Sequence, residues 1–237
     1  MPPDSKIAII GFGAFGQLVA RHLRDHAPIC VCDPVVRVND LPQVTAEVAA
    51  QCEVVILAMP LSRMREVLLR IAGHLRPGTL VIDVCSVKLR PAQLMLELLP
   101  EHVELVSSHP LFGPQSAADG LSGHRIAWCP LRGRRHLMAV AMMRKLGLRV
   151  MITTPEQHDR DMAVVQGLTH LIARSLSKLG PMPSRLATAS FQQLLLAAGM
   201  VQGDSPELLR TILNDNPYAK EIRDRFLTAA SEAADVG

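Results

Sequence analysis

Lys6-Ile7-Ala8-Ile9-Ile10-Gly11-Phe12-Gly13-Ala14-Phe15-Gly16 decides how the rest of the chain reads. Its first half is a short apolar run that stops at a glycine, the pattern of a parallel strand buried on both faces. Helical signals follow from Ala14 to His26. Between them Gly11, Gly13 and Gly16 fill a G-x-G-x-x-G spacing. At a strand-to-helix junction the first glycine permits a tight turn and the second lets backbone approach a pyrophosphate. The third lets helix and strand pack closely. The free N–H groups and dipole at the helix start then attract the phosphates. The bland alternative is a glycine-rich turn that holds nothing.

Outward from this unit, strand patterns recur at residues 28–33, 53–58, 79–84, 103–108, 125–129 and 149–153. Helical segments separate most of them, at 44–51, 62–75, 90–99 and from the sixth strand to about Leu146. Ser62 is a candidate N-cap, and Pro91 suits the first turn of its helix. Residues 110–124 read as a loop containing Gly, Pro and Ser. Such alternation predicts an α/β fold with a doubly wound, mostly parallel sheet of the Rossmann type.

The alternation stops at Thr154-Pro155-Glu156. Thr154 is an N-cap candidate, Pro155 suits the first helical position and Gln157 completes a capping-box spacing. One long helix to Gly180 is expected, then helices at roughly 183–198, 206–214 and 217–233. The chain thus divides into a dinucleotide-binding domain, 1–153, and a smaller all-α domain, 154–237. These helices are apolar on more than one face, which predicts packing against a second copy.

Composition narrows the function classes. Hydrophobic residues make up 49% and charged residues 20%, which provides for a large core and argues against disorder. Aromatic residues are 3%, so that core rests on Leu, Val, Ile, Ala and Met. The net charge of +3 has one basic cluster, Arg132-Gly133-Arg134-Arg135, which reads as a solvated loop and helix start rather than a nucleic-acid patch. Cys30, Cys32, Cys52, Cys85 and Cys129 sit mostly in apolar runs without metal-ligand spacing. They read as free thiols of a reducing compartment, with no metal. Met1-Pro2-Pro3-Asp4-Ser5 carries no signal-peptide pattern, and no apolar run nears the length of a membrane span. A cytoplasmic protein is expected.

Three strand ends carry the polar residues. Asp33 ends the second strand, where a carboxylate accepts from ribose hydroxyls and repels a 2′-phosphate; this favours NAD, with nearby Arg37 leaving NADP open. Gly11, Gly13, Ala14, Phe15 and Gly16, with Asp33, Met59 and Pro60, are the expected cofactor-binding residues. Asp83-Val84-Cys85-Ser86-Val87-Lys88 follows the fourth strand. Ser107-Ser108-His109-Pro110-Leu111-Phe112-Gly113-Pro114 carries the fifth into its loop. Ligands of parallel sheets lie at the strands' carboxyl ends, which puts Ser86 and His109 near the reacting end of the cleft. A neutral imidazole accepts a proton near pH 7. Against this, Ser86 could be a turn residue, His109 a structural histidine, and Lys88 either a loop-forming residue or a substrate contact.

The pair DVCSVK and HPLFGP, on this fingerprint, resembles the prephenate/arogenate dehydrogenase family of tyrosine biosynthesis from Lys6 to about Tyr218. The resemblance implies oxidative decarboxylation of a cyclohexadienyl acid, with hydride passing to NAD(P). His109 would deprotonate the ring hydroxyl, and Ser86 would bond both His109 and that hydroxyl. It also implies a homodimer through the helical domain. Gln115, Ser116 and Asp119 then fall at the substrate pocket, with Gln115 where family members often carry an acid. Asp119 suggests a lean towards arogenate, whose ammonium it would attract. His170, in HDRDMAVVQGLTH, is assigned a substrate-binding role; His158 reads as positioning the helix start with Asp159.

One departure stands out. The segment Ser190-Phe191-Gln192-Gln193-Leu194-Leu195-Leu196-Ala197 lacks the arginine with which the family grips the side-chain carboxylate. Arg185, Arg210 or the other subunit would have to substitute. This leaves room for a relative acting on an amino-substituted prephenate. No regulatory or chorismate mutase domain is recognised, so feedback control would act at the active site. A β-hydroxyacid dehydrogenase is disfavoured because Lys178 lacks the surrounding Gly and Asn that its catalytic lysine needs. A non-catalytic dinucleotide-binding module is the reading from another class.

Overall fold

In the computed structural model, residues 6–182 and 185–235 are described. The Met1-to-Ser5 segment and the start of the helix expected from residue 183 lie outside them. The chain forms two compact units, Met1–Pro155 and Glu156–Gly237.

The first unit is built on seven strands. They are β1 (Ile7–Ile10), β2 (Ile29–Cys32), β3 (Val54–Leu57), β4 (Leu80–Asp83), β5 (Glu104–Pro110), β6 (Arg125–Arg132) and β7 (Arg149–Ile152). Five helices alternate with them: α1 (Ala14–Leu23), α2 (Ala46–Ala49), α3 (Leu61–Ile71), α4 (Leu89–Leu98) and α5 (His136–Lys145). The sheet order is β2-β1-β3-β4-β5-β6-β7. The chain leaves β1 for one side and returns past it to β3, so the winding reverses between these two strands, the position where such sheets take ligands.

Alternate residues of the central strands serve opposite faces. Val55, Leu57, Val81 and Leu105 pack with Met64, Leu68 and Ile71 of α3 and with Leu94 and Met95 of α4. Ile9, Ile29, Val31 and Ile56 pack with Ala20 of α1, and Ile82, Val106 and Trp128 with Val140 of α5. Between α1 and α5 this second face carries a groove of about 390 Å³, lined largely by apolar side chains, among them Val54, Ile56, Leu80 and Ile82.

The sheet is parallel from β2 to β5, whereas β6 runs antiparallel to β5, and β7 parallel to β6. Residues 111–124 form turns without a helix. A parallel return usually runs through a helical crossover, and this loop, which has none, brings the chain back alongside β5 in the opposite sense. β6 also extends three residues past the expected Cys129. Pro130 lies opposite Val106 next to a shift in register between Leu105 and Val106, a place where a missing N–H is tolerated. The basic cluster is less solvated than expected. Arg132 donates to the Pro100 carbonyl at 2.6 Å, and Arg135 donates to the Gly78 carbonyl. At the start of α3 it is Pro60, not Ser62, that occupies the N-cap position. Pro60 ends the extended segment and fixes the turn into the helix, which places Ser62 in the first turn.

In the second unit, α6 (Pro155–Lys178) is the long helix, followed by α7 (Ala189–Gly199), α8 (Pro206–Arg210), a π-helical turn (Thr211–Asp215) and α9 (Ala219–Ala234). Thr188 and Ser205 cap α7 and α8 through their hydroxyls. Among the described residues no helix is long and apolar enough to cross a membrane.

Candidate active site

The glycine loop is shaped by contact with β3. Gly11 has φ +99°, and a Cβ there would meet the Ala58 carbonyl, with Ala58 C at 2.6 Å and Met59 N at 2.8 Å. A Cβ on Gly16 would overlap the Gly11 carbonyl. Gly13 differs: it caps α1 with φ −65°, and nothing lies within 4 Å of where its Cβ would be. Two glycines therefore close the turn, and the third leaves open space before a helix start whose N–H groups are free to bind an anion.

Asp33 organises the same loop. Its Oδ2 accepts from Phe12 N at 2.6 Å, and its Oδ1 accepts from Val35 N and Val36 N, both at 2.8 Å. Burial pushes this carboxyl up, but the three N–H donors outweigh it and hold it below the ordinary aspartate value. Oδ2 keeps a lone pair for a further donor. Met59 and Pro60 leave β3 directly beside Gly11, and Arg37 is exposed.

At the next strand ends, β4 and β5 pair with Asp83 opposite Ser107. Ser86 lies three residues beyond Asp83, and His109 two beyond Ser107, so both sit past the carboxyl end of the β4 ladder. His109 is 4% exposed. Strand alternation turns it to the face of Ser107 and Leu105. Phe112, three residues on, has its ring centroid 6.3 Å from that of Phe15 and 5.1 Å from that of His124. This carries the loop after His109 back to the start of α1.

Beneath Ser86 and His109 lies a polar cluster whose mutual contacts the sequence reading did not give. Asp83 and Lys88 have fully buried side chains, with Nζ 2.5 Å from Oδ1. Lys88 Nζ also donates to the Ser108 carbonyl at 2.6 Å. Ser107 Oγ donates to Asp83 Oδ2 at 2.5 Å, and Ser108 Oγ to the Asp83 carbonyl at 2.7 Å. Of the two readings of Lys88, its burial supports loop formation over substrate contact. The available signal was the charge at the end of Leu80-Val81-Ile82-Asp83, since a buried carboxylate demands a partner. Between them half-buried Cys85 is pushed above its ordinary thiol range by desolvation and the Asp83 charge, which disfavours its thiolate.

Of the pocket residues, Ser116 is used locally: its hydroxyl accepts from Gly113 N at 2.9 Å. Gln115 and Asp119 are exposed on the same loop. In the helical unit His170 is 3% exposed, with Nδ1 2.8 Å from the Gln166 carbonyl and Nε2 2.9 Å from Asp204 Oδ2. Buried His158 contacts Asp159 Oδ1 at 2.8 Å, and Asn216 donates to the Asp159 carbonyl. Arg185 and Arg210 are both exposed. None of the five cysteines is in a disulfide, and among the described residues no cluster suits a metal ion.

Fold and sequence together define a dinucleotide-binding α/β unit followed by a helical unit. The chain belongs to the prephenate dehydrogenase family: residues 32–152 match the family's nucleotide-binding domain and residues 154–236 its dimerization domain. The first match begins after the glycine loop, whose reading rests on its own geometry. A "Probable arogenate/prephenate dehydrogenase" of Methanocaldococcus jannaschii is 28% identical over 201 residues, 80% of this chain and 45% of that protein. The chain thus spans about half of that relative's length. A "4-amino-4-deoxyprephenate dehydrogenase" of Streptomyces pristinaespiralis is 29% identical over 83% of this chain and 68% of its own length. The structure of prephenate dehydrogenase from A. aeolicus, in complex with hydroxyphenyl propionate and NAD+, superposes with a TM-score of 0.75 at 20% identity, covering 95% of this chain and 88% of that one.

Proposed function

We propose that this protein is an NAD-dependent dehydrogenase that oxidatively decarboxylates a cyclohexadienyl acid, prephenate or arogenate. The observation that carries the reading is the placement of His109: buried at the carboxyl end of β5, beside the Ser86 loop and linked through Phe112 to the glycine loop. Gly13, Ala14 and Phe15 would hold the pyrophosphate against the start of α1, where the missing Cβ of Gly13 leaves room. Asp33 would take the adenosine ribose, with Met59 and Pro60 flanking it, and its charge favours NAD over NADP. NAD supplies the hydride acceptor.

The protein's own part is proton chemistry and orientation. His109 takes the proton of the ring hydroxyl as the carbinol carbon is oxidised to a carbonyl. Ser86 orients both that hydroxyl and the imidazole. Loss of the ring carboxylate as CO2 returns its bonding electrons to the ring, and aromatisation draws the reaction forward. Gln115, Ser116 and Asp119 would line the substrate side, and His170 is proposed as a substrate-binding residue. That unit pairs two copies into a homodimer working in the cytoplasm.

A second reading is kept because of the aminodeoxyprephenate relative and the missing arginine: the ring carbon that gives up the hydride bears an amine in place of the hydroxyl. Incubating the protein with NAD and each of prephenate, arogenate and 4-amino-4-deoxyprephenate separates them through reduced nicotinamide formation. Turnover of either of the first two supports the main reading, and an Asp119→Asn variant that lowers the arogenate-to-prephenate ratio supports the assigned lean. Turnover of the amino compound alone selects the second. NAD binding without turnover of any would show a non-catalytic module.

A further inference from the structure

Lys88 and Asp83 are fully buried charges to which the proposed reaction gives no step. A buried ion pair is a poor way to gain stability. Apolar replacements of similar volume are often as stable, because desolvation consumes the attraction. The bonding pattern here does something an apolar pair could not. Asp83 Oδ1 accepts from Cys85 N at 2.9 Å and from Lys88 Nζ, so residues 83–88 form a loop closed at its base, with Ser86 within it. The same Nζ donates to the Ser108 carbonyl, the carbonyl of the peptide whose nitrogen belongs to His109. Asp83 Oδ2 and its backbone carbonyl take the hydroxyls of Ser107 and Ser108. One ammonium therefore joins the loop carrying Ser86 to the peptide carrying His109.

We propose that the Asp83–Lys88 pair is the positioning device of this site, fixing Ser86 and His109 relative to each other without touching substrate. This rests on the roles proposed for those two residues. Shifts of about 1 Å in a reacting group cost on the order of 100-fold in rate. Lys88 alone cannot be removed cleanly, since that strands the Asp83 carboxylate. The informative variant is Asp83→Asn/Lys88→Met, in which the amide oxygen still accepts from Cys85 N, the amide NH2 can donate to Ser107 Oγ, and no charge is left unpaired.

Two measurements on the full-length protein test this. In steady-state kinetics the double variant should keep its KM for substrate and its affinity for NAD within about threefold, while kcat per folded molecule falls by about 30-fold or more. A lowered melting temperature with kcat per folded molecule unchanged would overturn the proposal. The second readout is independent of turnover: the side-chain NMR signal of His109, assigned by its loss in His109→Asn. A single sharp signal in the wild type that splits or broadens in the folded double variant supports the clamp. An unchanged signal overturns it. If the wild type turns over none of the three substrates, the catalytic reading fails while the NMR comparison still decides the clamp.

Discussion

Replacing Gly11 and Gly13 separately by alanine should split two effects that the glycine spacing merges. Alanine at Gly11 must adopt φ +99° and drive its methyl into the Ala58–Met59 backbone. The left-handed conformation costs about 1–2 kcal/mol. Overpacking against backbone that cannot rotate away adds about 1–3 kcal/mol. The sum, about 2–5 kcal/mol, is a large share of the roughly 5–15 kcal/mol that holds a domain folded. For a unit of this size it lowers the melting temperature by about 4–20 °C. Alanine at Gly13 sits at φ −65° with no atom within 4 Å of its methyl, so stability should stay within about 0.5 kcal/mol. The same methyl fills the space proposed for the pyrophosphate. The dissociation constant for NAD should rise at least about tenfold, about 1.4 kcal/mol. Thermal unfolding and calorimetric titration read the two quantities. Wild-type NAD affinity in Gly13→Ala, or wild-type melting in Gly11→Ala, would refute the reasoning.

Asp33 gives a pH-dependent counterpart. Its carboxyl is depressed in the fold, so its stabilisation is complete above the unfolded aspartate pKa, about 3.9, and is lost as the pH falls through the folded value. Wild type should exceed Asp33→Asn in denaturant stability by a constant margin near neutrality, with the gap closing below about pH 4; a gap that persists in acid would show that the charge is not responsible. Cys85, raised by burial and the Asp83 charge, should alkylate far more slowly in native than in unfolded protein at mildly alkaline pH. Equal rates would mean that the fold does not disfavour the thiolate.

The strand–helix alternation was legible because each central strand is short, apolar on both faces and stopped by a turn residue. The reversed direction of β6 was not, since hydrophobic periodicity carries no sign of strand direction. It is the turn-only loop at 111–124 that sets it. In the candidate site, the places of Gly11, Gly13, Gly16 and His109 at the strand ends could be read from spacing and strand position. The Asp83–Lys88 pair could not be read fully: a lysine five residues after a strand aspartate looks the same solvated or buried. Only tertiary structure shows that its ammonium reaches back under the loop to Ser108. His170 is a similar case, since its tie to Asp204 joins positions 34 apart that no local pattern connects.

The most direct test of the account is His109→Asn, compared with wild type for NAD binding and for turnover of prephenate and arogenate. The account predicts an unchanged NAD affinity and a loss of about 10²–10⁴ in kcat, the range for removing a general base. Wild-type turnover in the variant, or an inactivity that travels with lost NAD binding or lost folding, would contradict the role given to this histidine.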